Sequence, residues 1–155
     1  MLNQETYPYF KNNNSYHFLT EEHLTYEVYF IDGEIYLPGY SFSKYLKVFG
    51  FHLSPPTSIN PVFDKRIELT IVNIISEFFR DNRNIIIFTC DQSDKRERYR
   101  NKLFDIWFKR HSNKLFVKID RVYEENLYLS LITAINNPFI EEIKDSFDRI
   151  GNNLK

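Results

Sequence analysis

"IIIFTC", residues 85–90, is short, unbroken and largely β-branched, the pattern of a strand buried on both faces. It lies between two segments of helical period. Upstream, Ile67 is followed by Ile71, Ile74, Ile75, Phe78 and Phe79 at offsets of 4, 7, 8, 11 and 12, one apolar stripe along a helix. Asp64 stands where it can cap that helix, and "RDNRN" ends it. Downstream, Asp94-Lys-Arg-Glu97 has capping-box form, with the Asp94 carboxylate accepting from the Glu97 amide and Glu97 reaching back. In the helix that follows, Tyr99, Leu103, Ile106 and Trp107 are assigned to a buried stripe, with Phe104 also read as core. Lys95, Arg98, Lys102, Asp105 and Lys109 are assigned to the opposite, solvated face.

Farther out, residues 15–31 read as two strands around a Thr20–His23 turn, with Tyr26, Val28 and Phe30 on one face. Asp32-Gly33 predicts a two-residue hairpin, because a type I′ turn needs positive φ at both centres; "EIYL" would then pair back onto "YEVYF". Residues 40–53 fit either a strand or an irregular stretch. "SPPTSINP", 54–61, reads as a loop, and 1–14 as a poorly ordered segment. "KLFVKIDRVY" and "NLYLSLITAI" form a hairpin around 124–126. Asn137 caps a last helix with Pro138 at its first position, and Ile140, Ile143, Phe147 and Ile150 supply its apolar face. A buried strand between two helices, joined to antiparallel sections, implies a single α+β domain over 1–155. Its sheet is mixed and mainly antiparallel, with an N-terminal β-meander, a central helix–strand–helix unit, a β-hairpin and a C-terminal helix.

Composition narrows the function classes. The 155 residues suffice for a real core, and 15 Phe with 11 Tyr predict one rich in rings. One cysteine, Cys90, excludes an internal disulfide and any multi-cysteine metal site; at the end of an apolar strand it reads as a small buried hydrophobe. His17, His23, His52 and His111 lack metal-ligand spacing, although His17 and His23 could face each other across the first hairpin. No P-loop, nucleophile elbow, HExxH or dinucleotide fingerprint occurs, so no catalytic residue and no cofactor is assigned. The start has no basic region followed by an apolar one, and no apolar run approaches the ~20 residues of a membrane span; both lead to the expectation of a cytoplasmic protein.

Charge is uneven. Residues 1–39 carry a net −5, whereas in 95–119 nine bases against Glu97 and Asp105 leave +7. The positive segment begins at "DQSDKRERYR", beyond the carboxyl end of the buried strand, where ligands gather in sheets with parallel strands. A helix N-terminus there offers free amides, and Arg96 and Arg100, about one turn apart, could add two guanidinium forks. Asp91, Ser93, Asp94, Arg96, Arg98, Arg100 and Lys102 are therefore the candidate ligand- or partner-binding residues. The bland alternative is a capped helix whose arginines are satisfied by neighbouring aspartates. The favoured reading is a non-catalytic module that engages an acidic protein partner through the basic helix. A degenerate acyltransferase-like or nucleotide-binding enzyme is the alternative. Nucleic-acid binding ranks third, because the acidic N-terminal third would repel phosphate.

The run from "DKRIELTIVNIISEFF" to "RNKLFDIWF" resembles a family of small bacterial proteins known as a domain of unknown function. The shared pattern is an N-terminal hairpin, an Asp-x-Arg-Ile helix, a "CD-x-SD-x-R-x-x-x-R" turn and an "LF-x-x-WF" helix. Here it falls on Asp64, Arg66–Ile67, Cys90–Asp91, Ser93–Asp94, Arg96, Arg100, Leu103–Phe104 and Trp107–Phe108, within about residues 15–150. That resemblance implies no activity. The order of elements is also similar in topology to the acyl-CoA N-acetyltransferase core, which cradles a pyrophosphate on a Gly-rich turn before its long helix. The corresponding "SINPVFDKRIE" has no glycine, so its backbone could not approach a pyrophosphate closely.

Overall fold

A computed structural model describes residues 5–56, 64–91, 95–124 and 127–153, without the side chains of 90, 91, 95–97, 123, 124 and 151–153. Among the described residues seven strands form one sheet: β1 (Tyr9–Asn12), β2 (Ser15–Leu19), β3 (Thr25–Asp32), β4 (Leu46–Leu53), β5 (Ile85–Asp91), β6 (Phe116–Glu124) and β7 (Leu127–Ala134). Their spatial order is β1-β2-β3-β4-β5-β7-β6. Only β4 and β5 run parallel; every other neighbouring pair is antiparallel. A parallel pair cannot be closed by a tight turn, and α1 (Lys65–Phe78) makes the crossover between them. The sheet is mixed and mainly antiparallel in an α+β domain, as read from the sequence.

β5 is buried on both faces. Ile85, Ile86 and Ile87 have no exposed surface; Ile86 and Phe88 enter one core, Ile85 and Ile87 the other. The first core is aromatic: Phe18, Tyr26, Phe30, Phe49 and Phe51 of the sheet meet Ile67, Ile71 and Ile74 of α1 and Phe104 and Trp107 of α2 (Lys95–His111). The second holds Leu129 and Leu131 beneath Ile143, Phe147 and Ile150 of α3 (Ile140–Asn153), with Leu37 and Phe42 beside them. Asp64 caps α1, its Oδ1 accepting from the Ile67 amide at 2.8 Å, and Asn137 Oδ1 accepts from the Phe139 amide at 2.8 Å just before α3. No helix among the described residues is long and apolar enough to cross a membrane.

Three local expectations are corrected. Gly33 has φ −115°, so Asp32-Gly33 is not a type I′ turn, and the chain instead makes a 3-10 turn at Glu34–Tyr36. β3 pairs with β4, Phe30 opposite Phe49, because Leu37 and Phe42 must reach the second core, which a local hairpin through "EIYL" would prevent. Gly33 instead permits close approach: a Cβ there would lie 3.3 Å from the Leu46 carbonyl and from Val48. The N-terminal segment, read as poorly ordered, contains β1. Tyr7 before it is buried, its amide donating to Thr70 Oγ1 at 2.8 Å and its ring lying 3.9 Å beneath the Arg66 guanidinium. The buried stripe of α2 is rotated by about one residue from that expected. Phe104 and Trp107 are buried, while Tyr99 and Ile106 are 54% and 49% exposed. The deep aromatic face of the sheet, not the most apolar arc of the helix, sets which side of α2 turns inward.

Candidate functional site

The parallel pair is short. β4 and β5 are paired only over Leu46–Val48 with Ile85–Ile87. Past that point β4 continues along β3 to Leu53 and β5 continues along β7 to Asp91, so the two strands part at their carboxyl ends. The gap is a hollow of about 160 Å³ bordered by Tyr29, Gly50, Phe51, Phe88, Arg100 and Asn101. Phe49 and Phe104 complete its aromatic floor.

Two polar side chains come from α2. Arg100 Nη1 donates to the Phe51 carbonyl at 3.2 Å, a backbone acceptor on the stretch of β4 that β5 has left. A guanidinium carries five donors, and Arg100 has no carboxylate partner among the described residues. Asn101 Oδ1 is buried with no donor to it among the described residues, an unmet acceptor of the kind that native interiors seldom leave. The third polar group reaches the hollow from β3. Tyr29 stands opposite Gly50 in the register, on the sheet face away from α2, and its phenol fills the space a side chain at that glycine would take: a Cβ at Gly50 would be 2.1 Å from Tyr29 Oη.

Of the residues assigned from sequence, Arg100 is the one whose described side chain borders the hollow. Arg98 and Lys102 are exposed on the outer face of α2. Asp91 ends β5 opposite Leu127, and Arg96 lies in the first turn of α2; both side chains are outside the description. Ser93, Asp94 and the proposed Asp94–Glu97 capping box also lie outside the described residues. Tyr29, Gly50 and Asn101 were missed. Gly50 carried a readable signal, since a glycine inside "KVFGFHL" marks a place where another group approaches the backbone.

Part of the positive charge of 95–119 is neutralised internally. Asp105 meets Lys109 at 3.2 Å and Lys118 at 3.1 Å. Burial would raise the Asp105 carboxyl, but the hydrogen bonds from Lys118 and Lys109 outweigh it and hold that group below the usual range. Arg110 and His111 turn to Glu68 of α1. His17 does not face His23 across the hairpin. It stands opposite Glu27 in the register, which also receives His52 Nε2 at 3.2 Å. No group of three or more His, Cys, Asp or Glu among the described residues is arranged to hold a metal ion.

The sequence profile of DUF6169, a family of unknown function, matches residues 63–149, from the α1 cap through most of α3. No curated protein and no solved structure matches the chain.

Proposed function

We propose that this chain, which belongs to the family of unknown function DUF6169, binds the polar end of a small ligand in the cleft where β4 and β5 part. The observation that carries this reading is Asn101 Oδ1, buried and without a partner among the described residues, beside a hollow that Arg100 also borders. Arg100 offers charge-assisted donors to a phosphate, carboxylate or carbonyl oxygen, and Asn101 accepts from an N–H or O–H of the same ligand. The position agrees with the rule that ligands collect beyond the carboxyl ends of parallel strands. At about 160 Å³ the hollow falls below the ~300–1,000 Å³ of sites that enclose a drug-sized molecule. It suits a small acid or the reactive end of a longer ligand such as an acyl thioester or a nucleotide. Anchoring of a pyrophosphate on α1 finds no support, because Asp64 already occupies the Ile67 amide at the helix start.

The test is a thermal shift with acetyl-CoA, ATP and short carboxylates. A ligand at 100 times its Kd adds about 2.7 kcal/mol, which for a chain of this size raises Tm by several degrees. Arg100→Ala should keep the fold and abolish that shift. A wild type that responds to no member of the panel, or a variant that responds as the wild type does, would remove the reading.

A second reading is favoured by a different observation. Tyr99 and Ile106 are half-exposed on the side of α2 that also carries Arg98 and Lys102, a mixture of apolar and cationic groups suited to an acidic protein partner. Reversing the charge at Arg98 and Lys102 should then abolish co-purification of that partner while leaving any cleft-ligand shift intact. Capture that survives the reversal would dismiss this reading.

A further inference from the structure

We infer that Phe104 is the wall that sets how long a ligand the cleft accepts, and that this ligand is an aliphatic acyl chain with an oxygen-bearing head. This rests on the cleft reading and goes beyond it, adding the chemistry of the tail and the residue that limits it. Phe104 is buried on the side of α2 that meets the sheet, and its ring packs on Phe49 at 5.2 Å and edge-on against Phe88 at 4.9 Å. These rings and Phe51 belong to the same aromatic core, on one face of the sheet. The cleft of about 160 Å³ has Phe104 as part of its floor and Arg100 and Asn101 at its polar end. Another hollow, of about 60 Å³ between α1 and α2, is lined by Val72, Ile75, Phe79 and Trp107 and again by Phe104, the residue that the two share. One buried ring therefore divides a cleft with a polar end from an apolar hollow beneath the same helix.

The two ends of the cleft narrow the ligand class. Arg100 offers charge-assisted donors to a carboxylate or a thioester carbonyl, whereas the rings of Phe49, Phe88 and Phe104 suit methylenes, which ask for no hydrogen bonds. A space of about 160 Å³ holds roughly five groups the size of a water molecule, so a head and a few carbons already reach Phe104. Beyond that ring there is little for a polar head: His111, one of the few polar neighbours of the smaller hollow, has Nε2 against Glu68 at 2.6 Å. The competing account is that the smaller hollow is a packing gap between two helices, unrelated to the cleft. The two accounts separate on whether a tail that reaches it is still anchored at Arg100.

Straight-chain acids from butyrate to decanoate, each also as its CoA thioester, are titrated by calorimetry beside ATP into the wild type, Phe104→Ala, Arg100→Ala and the double variant. Whichever form binds tells a free acid from a thioester. Each methylene removed from water adds about fourfold in affinity, so wild-type affinity should climb at that rate over the shorter chains and then level off. In Phe104→Ala it should keep climbing through the longer chains, and Trp107 emission should shift with decanoate beyond its shift with butyrate. That extra gain should vanish in the double variant, where no head is held at Arg100. Should Phe104→Ala fail to fold, Phe104→Leu keeps a packed aliphatic side chain and serves the same comparison. If affinity levels off at the same length in the wild type and the Phe104 variant, or the gain persists without Arg100, the inference is wrong, and binding that still needs Arg100 leaves the cleft reading standing. Arg100-dependent binding of ATP with no acyl chain bound has the same meaning. If no probe binds the wild type, both fall together.

Discussion

Glu68→Ala should lower the unfolding free energy by about 3 kcal/mol, the lower end of the cost of breaking a buried ion pair. Glu68 is buried on α1, and its carboxylate receives Arg110 Nη1 at 2.7 and 2.8 Å, His111 Nε2 at 2.6 Å and Lys65 Nζ at 3.2 Å. These contacts fasten the end of α2 to the start of α1. The lower end applies because Arg110 is about half exposed and can turn to water once its partner is gone. Burial by itself would raise the Glu68 carboxyl, but the bonds from His111, Arg110 and Lys65 prevail and hold it below its ordinary range. The folded-state value therefore lies below the unfolded one. The stabilisation is present above the ordinary carboxylate range and is lost as pH falls through the depressed folded value. Urea unfolding at pH 7 and at successively lower pH checks both parts: the gap between wild type and Glu68→Ala should be widest near neutrality and shrink in acid. A gap independent of pH would show that the carboxylate's charge contributes nothing.

Trp107→Ala should cost about 4 kcal/mol, within the range for deleting a buried tryptophan. Trp107 is 3% exposed, and its ring stacks on Phe51 with centroids 5.8 Å apart. One turn earlier Phe104 packs on Phe49 at 5.2 Å and edge-on against Phe88 at 4.9 Å, so these two residues seat α2 across β4 and β5. A hollow of about 60 Å³ already lies beside Trp107, between α1 and α2; the deletion would enlarge it. Trp107 is the chain's single tryptophan, so the variant must be followed by circular dichroism, whereas in the wild type its fluorescence reports on this interface alone. Trp107→Phe should recover most of the loss, because a ring still fills the contact. Equal stability of Trp107→Ala and the wild type would mean that α2 is held by its ion pairs instead.

The parts of the fold legible in the sequence were those whose signal is local and periodic. Ile67, Ile71 and Ile74 follow a helix by spacing alone, and three successive isoleucines at 85–87 have no other reason than two-sided burial. Asp32-Gly33 failed because the local turn preference competed with the burial of Leu37 and Phe42 in a core assembled from distant strands. Tyr99 and Ile106 failed for a related reason: helix periodicity locates an apolar arc but not its rotation against a sheet. The cleft was legible only in outline. The strand end and Arg100 could be placed from pattern, but the Tyr29–Gly50 contact joins residues 21 apart through β-register, and Asn101 looks in sequence like any polar helical residue. A family description without an assigned activity adds the extent of the match, 63–149, and this includes β5 and α2 but not β3 or β4.

The account is tested most directly by amide chemical-shift mapping of the full chain with acetyl-CoA, with ATP and with short carboxylates. Binding in the cleft predicts perturbations clustered at 48–51, 88–89 and 100–104, together with Tyr29, and their disappearance in Arg100→Ala. Perturbations confined to the outer face of α2 around Arg98, Lys102 and Ile106, or none with any of the probes, would contradict it.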